Sequence, residues 1–130
     1  MVNLKLVINN RKYWEDIRQL RNDERVKLGF IQQSEISFDD HVRYMQKNSQ
    51  YFYICLDNGQ FAGYIGNIDN DIRVATHPDH QCKGVATFML NELMKKHPEA
   101  TAKVKIENEA SLRLFEKCGF KKKYFLLEKE

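Results

Sequence analysis

The 130-residue chain lacks the features of several specialised protein classes. Its three cysteines, Cys55, Cys82 and Cys118, are odd in number and have no metal-ligand spacing, so neither a disulfide framework nor a metal site is expected. No long apolar run is present near the N-terminus, so a secretory leader or a membrane span is not expected either. These absences favour a cytoplasmic protein. With two prolines and no low-complexity linker, we expect a single domain over residues 1–130.

The charge balance is close to even. Lys and Arg number 21 against 18 Asp and Glu, which gives a formal net charge of +3. This mild excess does not call for nucleic acid or a membrane surface as a partner, and it is compatible with a small anionic ligand. The hydrophobic fraction of 42% is ordinary for a globular domain.

The hydrophobic pattern predicts strands and helices in the order β, α, α, three strands, α, β, α, β. Ser37 is a predicted helix N-cap, Asn58-Gly59 a hairpin turn, and Gly119 a helix C-cap. Residues 22–34 are expected to be irregular. The fold class is a mixed α+β domain of three layers. Strands are predicted at Val2–Ile8, Tyr51–Leu56, Phe61–Ile68, Ile72–Thr76, Ala102–Ile106 and Phe120–Leu127, and helices at Tyr13–Arg21, Phe38–Asn48, Thr87–Lys96 and Glu109–Lys117.

The segment Gln81–Ala86, with the sequence QCKGVA, is termed here the phosphate loop. It stands between a predicted strand and a predicted helix. The first-turn N–H groups of a helix lack intrahelical partners, and the helix dipole adds positive potential there. Gly84 permits close approach of a ligand to the backbone, and Lys83 can add a charge. The pattern predicts a phosphorylated ligand held by main-chain N–H groups.

Two motifs together resemble those of the GCN5-related N-acetyltransferases, the GNAT family. Gln81, Gly84 and Ala86 are similar to the family's Gln/Arg-x-x-Gly-x-Gly/Ala signature. The segment Asn108–Phe120 is similar to its Asn-x-x-Ala/Ser…Leu-Tyr/Phe-x-x-x-Gly-Phe segment. The resemblance covers nearly the whole chain. It implies the GNAT-like acyl-CoA N-acyltransferase fold, in which a mostly antiparallel central sheet has helices on both faces.

The resemblance also implies acetyl-CoA as cosubstrate and direct acetyl transfer to a primary amine in a ternary complex. The pyrophosphate would lie on the backbone of Gln81, Cys82, Lys83, Gly84, Val85, Ala86 and Thr87. The pantetheine arm would pair with Val74, Ala75 and Thr76, facing Asn108, Ser111 and Phe115. A backbone N–H near Val74 would stabilise the oxyanion. Many relatives carry tyrosine in place of Phe115, so the departing thiolate would be protonated by Ser111, Tyr124 or water, or would leave unassisted.

The acceptor is less defined by the sequence. The segments Leu20–Val26 and Ile36–His41 resemble a subset of the family that acetylates nucleotide-linked amino sugars or protein N-termini. The alternatives are a protein N-terminal or lysine acetyltransferase and a non-catalytic CoA-binding sensor. Arg21 and Arg25 are expected either to contact an anionic acceptor or to pair with Asp23 or Glu24. His41 is the candidate base or substrate contact.

The sequence leaves the identity of the general base and the oligomeric state open. Asp69, Asp71 and His77 are alternative bases acting through a water. The exposed edge of the last predicted strand permits either a monomer or a homodimer.

Overall fold

A computed structural model describes residues 3–30 and 35–130 of the chain. Val2, the predicted start of the first strand, and residues 31–34 of the segment expected to be irregular lie outside them. The described strands are β1 (Leu4–Ile8), β2 (Phe52–Asp57), β3 (Gln60–Ile68) and β4 (Asp71–Thr76), and the helices are α1 (Trp14–Asn22), α2 (Glu24–Lys27), α3 (Phe38–Asn48), α4 (Val85–Lys96) and α5 (Glu109–Lys117).

The four strands form one antiparallel sheet in the order β1-β2-β3-β4. The β2–β3 hairpin turns at Asn58 and Gly59, whose φ angles are 51° and 84°. Positive φ at both central residues is the type I′ geometry, which matches the twist of the strands it joins. The predicted hairpin is therefore confirmed. It places Asp57, the last residue of β2, opposite Gln60 in the ladder.

Helices cover both faces of the sheet, as predicted. Alternation along β3 sends Ile65 to one face and Tyr64 to the other. The first face packs on α4 and α5, and the second packs on α1 and α3. The main buried helix residues are Met89, Leu90, Leu93 and Phe115 on the first face, and Ile17, Leu20 and Met45 on the second.

The structure corrects two of the predicted strands. Residues 102–106 form no ladder, although their neighbour Thr101 makes an isolated parallel bridge to Asp71. The segment Phe120–Leu127 is not a strand either, and residues 121–130 are exposed. Alternating apolar residues suit a strand only when a neighbouring strand receives their backbone hydrogen bonds. None of the described strands does so here.

The predicted helix boundaries agree with the structure better than these two predicted strands do. The helix predicted from Thr87 begins at Val85, and the segment predicted to be irregular contains α2. Ser37 caps α3, since its side chain accepts a hydrogen bond from the Asp40 N–H. In residues 3–30 and 35–130, no helix is both long and apolar enough to cross a bilayer.

Candidate active site

The N-terminus of α4 is open at the phosphate loop. Gly84 is its N-cap, with φ 78°, and its carbonyl accepts the first helical hydrogen bond from Phe88 N at 2.9 Å. No side chain of the described residues caps this end. The N–H groups of the first turn therefore lack intrahelical acceptors and carry the positive end of the helix dipole. An ideal Cβ on Gly84 would meet no atom within 4 Å, so the space beside it is open.

The N-terminus of α5 is closed by contrast. Asn108 Oδ1 accepts a hydrogen bond from Ser111 N at 3.1 Å, which caps the helix. Asn108 Nδ2 donates to the Gly29 carbonyl at 3.2 Å, so the same side chain ties α5 to the segment after α2. Asn108 thus holds one wall of the site in place.

A cleft of about 900 Å³ lies beside the phosphate loop, which is a volume typical of small-molecule sites. After the bridge between Asp71 and Thr101, β4 has no ladder partner on that side among the described residues, and both β4 and Lys103–Val104 line the cleft. The cleft therefore follows the outer edge of β4, and α2 and α5 complete its walls.

Most of the residues that the sequence analysis proposed for the site line this cleft. His41, Lys83, Tyr124, Asp69 and His77 do not. The predicted residues that line it are Arg21, Arg25, Asp71, Val74, Ala75, Thr76, Gln81, Cys82, Gly84, Val85, Ala86, Thr87, Asn108, Ser111 and Phe115.

His41 is buried between α3 and α1, with 1% of its surface exposed. Its Nε2 lies 2.7 Å from the carbonyl oxygen of Trp14, to which it donates. Burial lowers the pKa of His41, which keeps the imidazole neutral. This geometry does not support His41 as base or substrate contact, because its ring is held in the core.

Lys83 lies against Asp57 at the end of β2, with Nζ 3.4 Å from Oδ2. The same carboxylate oxygen is 3.0 Å from His80 Nδ1. Hydrogen bonding from His80, helped by Lys83, lowers the pKa of Asp57. This cluster was not predicted, because an Asp before Asn-Gly has the composition of a turn.

The far part of the cleft has a wall of arginine and tyrosine side chains. The Arg21 guanidinium lies 5.4 Å from the centre of the Tyr44 ring, and no carboxylate of the described residues pairs with it. Both line the cleft with Tyr64 and Arg73. Burial raises the pKa of Tyr64 to about 12, so it remains a neutral phenol. We call these four residues the acceptor wall. Tyr44 and Arg73 were not predicted, since a lone aromatic or arginine carries no motif.

Arg25 behaves differently from Arg21. Its guanidinium pairs with Asp23 at 2.7 Å, and this hydrogen bond lowers the pKa of Asp23 to about 2. The ordinary ion pair expected as an alternative therefore holds for Arg25. Arg21 keeps its charge available to the cleft.

The family profile of the GNAT acetyltransferases matches residues 14–120. The chain belongs to the GNAT family of acetyltransferases. The family's cosubstrate is acetyl-CoA. The match spans the phosphate loop, α5 and all four residues of the acceptor wall, so both parts of the cleft lie within the family domain.

Solved structures share the fold of this GNAT domain. Spermidine N-acetyltransferase from Vibrio cholerae, in complex with CoA and spermine, has a TM-score of 0.81 at 21% identity, with 97% of this chain and 85% of that chain covered. The yncA protein of Salmonella typhimurium, with its cofactor acetyl-CoA, has a TM-score of 0.74 at 19% identity, with 91% and 79% covered. A comparison with curated protein sequences finds no significant match.

The GNAT site has no phenol at the position of Phe115. This ring is buried at the cleft and packs edge-on against Phe120, with the ring centres 5.1 Å apart. Tyr124 is 93% exposed and does not line the cleft. Of the two side chains considered for protonating the thiolate, Ser111 alone lies in the cleft. Among residues 3–30 and 35–130, no cluster of His, Cys, Asp and Glu has the arrangement of a metal site.

Proposed function

We propose that the protein transfers the acetyl group of acetyl-CoA directly to a primary amine bound in the same cleft. The observation that carries this proposal is the uncapped N-terminus of α4, which opens on a cleft along the unpaired edge of β4. An open helix N-terminus suits a pyrophosphate, and an unpaired strand edge suits the amide groups of a pantetheine arm. The cleft joins the two in one continuous space.

The residues of this chain would divide the binding of acetyl-CoA between them. Main-chain N–H groups of Gly84–Thr87 would donate to the pyrophosphate, and the main chain of Val74–Thr76 would pair with the arm. Ser111 and Phe115 lie on the opposite wall. Lys83 contributes indirectly, because its Nζ is engaged by Asp57.

The chemistry needs a donor for the developing oxyanion and a route for two protons. A backbone N–H near Val74 is the proposed donor, and loss of one such donor typically costs about 3 kcal/mol of transition-state stabilisation. Ser111 or a water would protonate the thiolate, although a thiol with a pKa near ~8.5 can also leave unassisted. Of the three alternative bases, only Asp71 lines the cleft, where it pairs with Arg73 at 3.2 Å. We assign it the role of accepting the amine's proton through a water.

The acceptor wall favours an amine that also carries an anionic group. An unpaired Arg21, with Arg73 nearby, attracts phosphate or carboxylate and repels a polycation. The Vibrio cholerae relative was solved with spermine, and its name gives spermidine as its substrate. This chain has one carboxylate, Asp71, among the described cleft residues, and an arginine pairs with it. A nucleotide-linked amino sugar therefore fits better than a polyamine.

Calorimetry and a thiol-release assay test the proposal. Titration with acetyl-CoA, CoA and ATP should give binding of the first two only. Thiol release should then be followed with nucleotide-linked amino sugars, the same amino sugars without the nucleotide, spermidine, and peptides with free N-termini or lysines. The nucleotide-linked sugars should have the highest kcat/KM. Preference for peptides would favour a protein acetyltransferase, and CoA binding without turnover on any amine would favour a sensor. Absence of CoA binding would reject the proposal.

A further inference from the structure

Asp57 is a buried carboxylate that no step of acetyl transfer uses. Its side chain is 3% exposed, and its Oδ1 has no hydrogen-bond partner among the described residues. A buried carboxylate costs free energy unless donors satisfy it. Its donors, His80 Nδ1 at 3.0 Å and Lys83 Nζ at 3.4 Å, both bind Oδ2.

Both donors come from the segment 77–84, which leads into α4. The start of this segment is fixed to β3, since His77 N donates to the Ala62 carbonyl at 2.7 Å. Between His80 and Lys83 the backbone passes through Cys82, whose φ of 64° is unfavourable for a side chain with a Cβ. A strained turn persists only where surrounding contacts hold it. Asp57, which does not itself line the cleft, supplies two such contacts.

We propose that Asp57 is a positioning residue for CoA, which acts by holding His80 and Lys83 so that the phosphate loop keeps its binding conformation. The proposal rests on the proposed function. His80 lines the cleft, and because its Nδ1 is bound to Asp57, Nε2 is the ring nitrogen left for a ligand there. Lys83 compensates the charge of Asp57, so the carboxylate does not repel the phosphates.

A general stabilising role for Asp57 makes a different prediction. If Asp57 mainly stabilised the β2–β3 hairpin, its loss would loosen both strands and affect every property of the protein. If Asp57 positions the loop, the effects of its loss should be confined to residues 77–87 and to the binding of CoA. Affinity, local exchange and kinetics together separate the two roles.

The test compares wild type, Asp57→Asn and the control Glu92→Gln, which breaks the ion pair between Glu92 and Lys95 on α4, outside the cleft. Calorimetry measures the Kd of CoA, and hydrogen exchange measures protection of residues 77–87, β2 and β3. We expect Asp57→Asn to raise the Kd of CoA by about 10-fold or more, which corresponds to the loss of one hydrogen bond to a charged group. Exchange should accelerate over 77–87 only. With an amine that the wild type acetylates, the KM for acetyl-CoA should rise while kcat is kept. Glu92→Gln should stay within about twofold of wild type, as surface ion pairs contribute little.

Three results would overturn the proposal: an unchanged Kd for CoA, exchange that accelerates equally through β2 and β3, or a fall in kcat without a change in KM. If Asp57→Asn does not fold, Lys83→Met takes its place, because it leaves the carboxylate bound by His80. Lys83→Met should raise the Kd of CoA about 3-fold or more, and an unchanged Kd would again overturn the proposal. Wild-type protein that failed to bind CoA would instead reject the proposed function itself.

Discussion

The two ends of the cleft use different parts of the chain. At the phosphate loop, the groups proposed to bind CoA are main-chain N–H groups of an uncapped helix, and the nearby charges of Asp57 and Lys83 are paired with each other. At the acceptor wall, the available groups are side chains, and the first of them is the Arg21 guanidinium, which pairs with no carboxylate of the described residues. A backbone site demands a particular conformation and hence a recognisable sequence. A side-chain site can be changed one residue at a time without changing the fold.

From this difference we infer how a GNAT domain could keep its donor site while its acceptor site changes. The donor end is fixed by glycine geometry and by an open helix, both of which the whole domain must support. The acceptor end depends on which charges are left unpaired. Arg21 lies in α1 and Arg25 in α2, and both line the cleft, yet of the two only Arg25 pairs with a carboxylate of the described residues. We therefore expect acceptor specificity at this end to depend on ion pairing and not on the type of residue alone.

Gly84→Glu should have the largest effect, because it places a carboxylate where the pyrophosphate would lie. We expect CoA affinity to fall by about 100-fold or more, from charge repulsion combined with loss of close approach. Gly59→Glu is the matched control. Gly59 has a φ of 84°, its ideal Cβ also meets no atom within 4 Å, and it lies in the hairpin turn away from the cleft.

Both glycine variants should lose about 1–2 kcal/mol of stability from left-handed strain, so thermal unfolding should be similar for the two. Calorimetry with CoA should then separate them. Equal CoA affinities of the two folded variants would show that the phosphate loop is not the donor site.

Arg21→Met should have the next largest effect, and it acts at the opposite end of the cleft. With a nucleotide-linked amino sugar, the KM for the acceptor should rise about 10- to 100-fold, the equivalent of one hydrogen bond to a charged group. The KM for acetyl-CoA should not change. Steady-state kinetics of Arg21→Met and Arg25→Met, varying each substrate in turn, measure this. An equal effect of the two variants on the acceptor would contradict the distinction drawn from their ion pairing.

Most of the residues predicted for the donor end line the cleft, whereas Tyr44 and Arg73 of the acceptor wall were not predicted. Gly84 and Asn108 belong to motifs because a positive φ and a helix cap restrict the residue type. Arg21 and Arg25 could not be distinguished beforehand, since pairing with Asp23 is a matter of side-chain conformation. His41 has the residue type of a base, but the packing of α3 on α1 buries it. The prediction of two strands that do not form was wrong for a related reason. Whether residues 102–106 and 120–127 find backbone hydrogen-bond partners depends on the tertiary arrangement.

Asn108 offers a smaller test, at the wall that both ends of the cleft share. Asn108→Ala removes the N-cap of α5 and the tie to Gly29, and should cost about 0.5–2 kcal/mol through the cap alone. Asn108→Asp keeps an oxygen for the Ser111 N–H but loses the donor to Gly29. The midpoint of thermal unfolding should therefore be highest for wild type, lower for Asn108→Asp and lowest for Asn108→Ala.

CoA affinity should fall in both Asn108 variants if the tie to Gly29 shapes the cleft. If Asn108→Asp kept full CoA affinity, the tie to Gly29 would have no role in binding.

The smallest expected effect concerns His41, which belongs to neither end of the cleft. Burial lowers its pKa, so the unfolded chain takes up a proton at a higher pH than the folded protein does. The free energy of unfolding should therefore fall as the pH drops below about 6.5, by about 1.4 kcal/mol for each unit by which the two pKa values differ. His41→Gln retains an N–H that can donate to the Trp14 carbonyl, but it cannot titrate. Urea unfolding of both proteins at pH 7.5 and pH 5.0 should show a smaller loss of stability in the variant, whereas kcat/KM at pH 7.5 should match wild type. A large fall in kcat/KM with unchanged stability would show that His41 acts in the active site, and would contradict its assignment to the core.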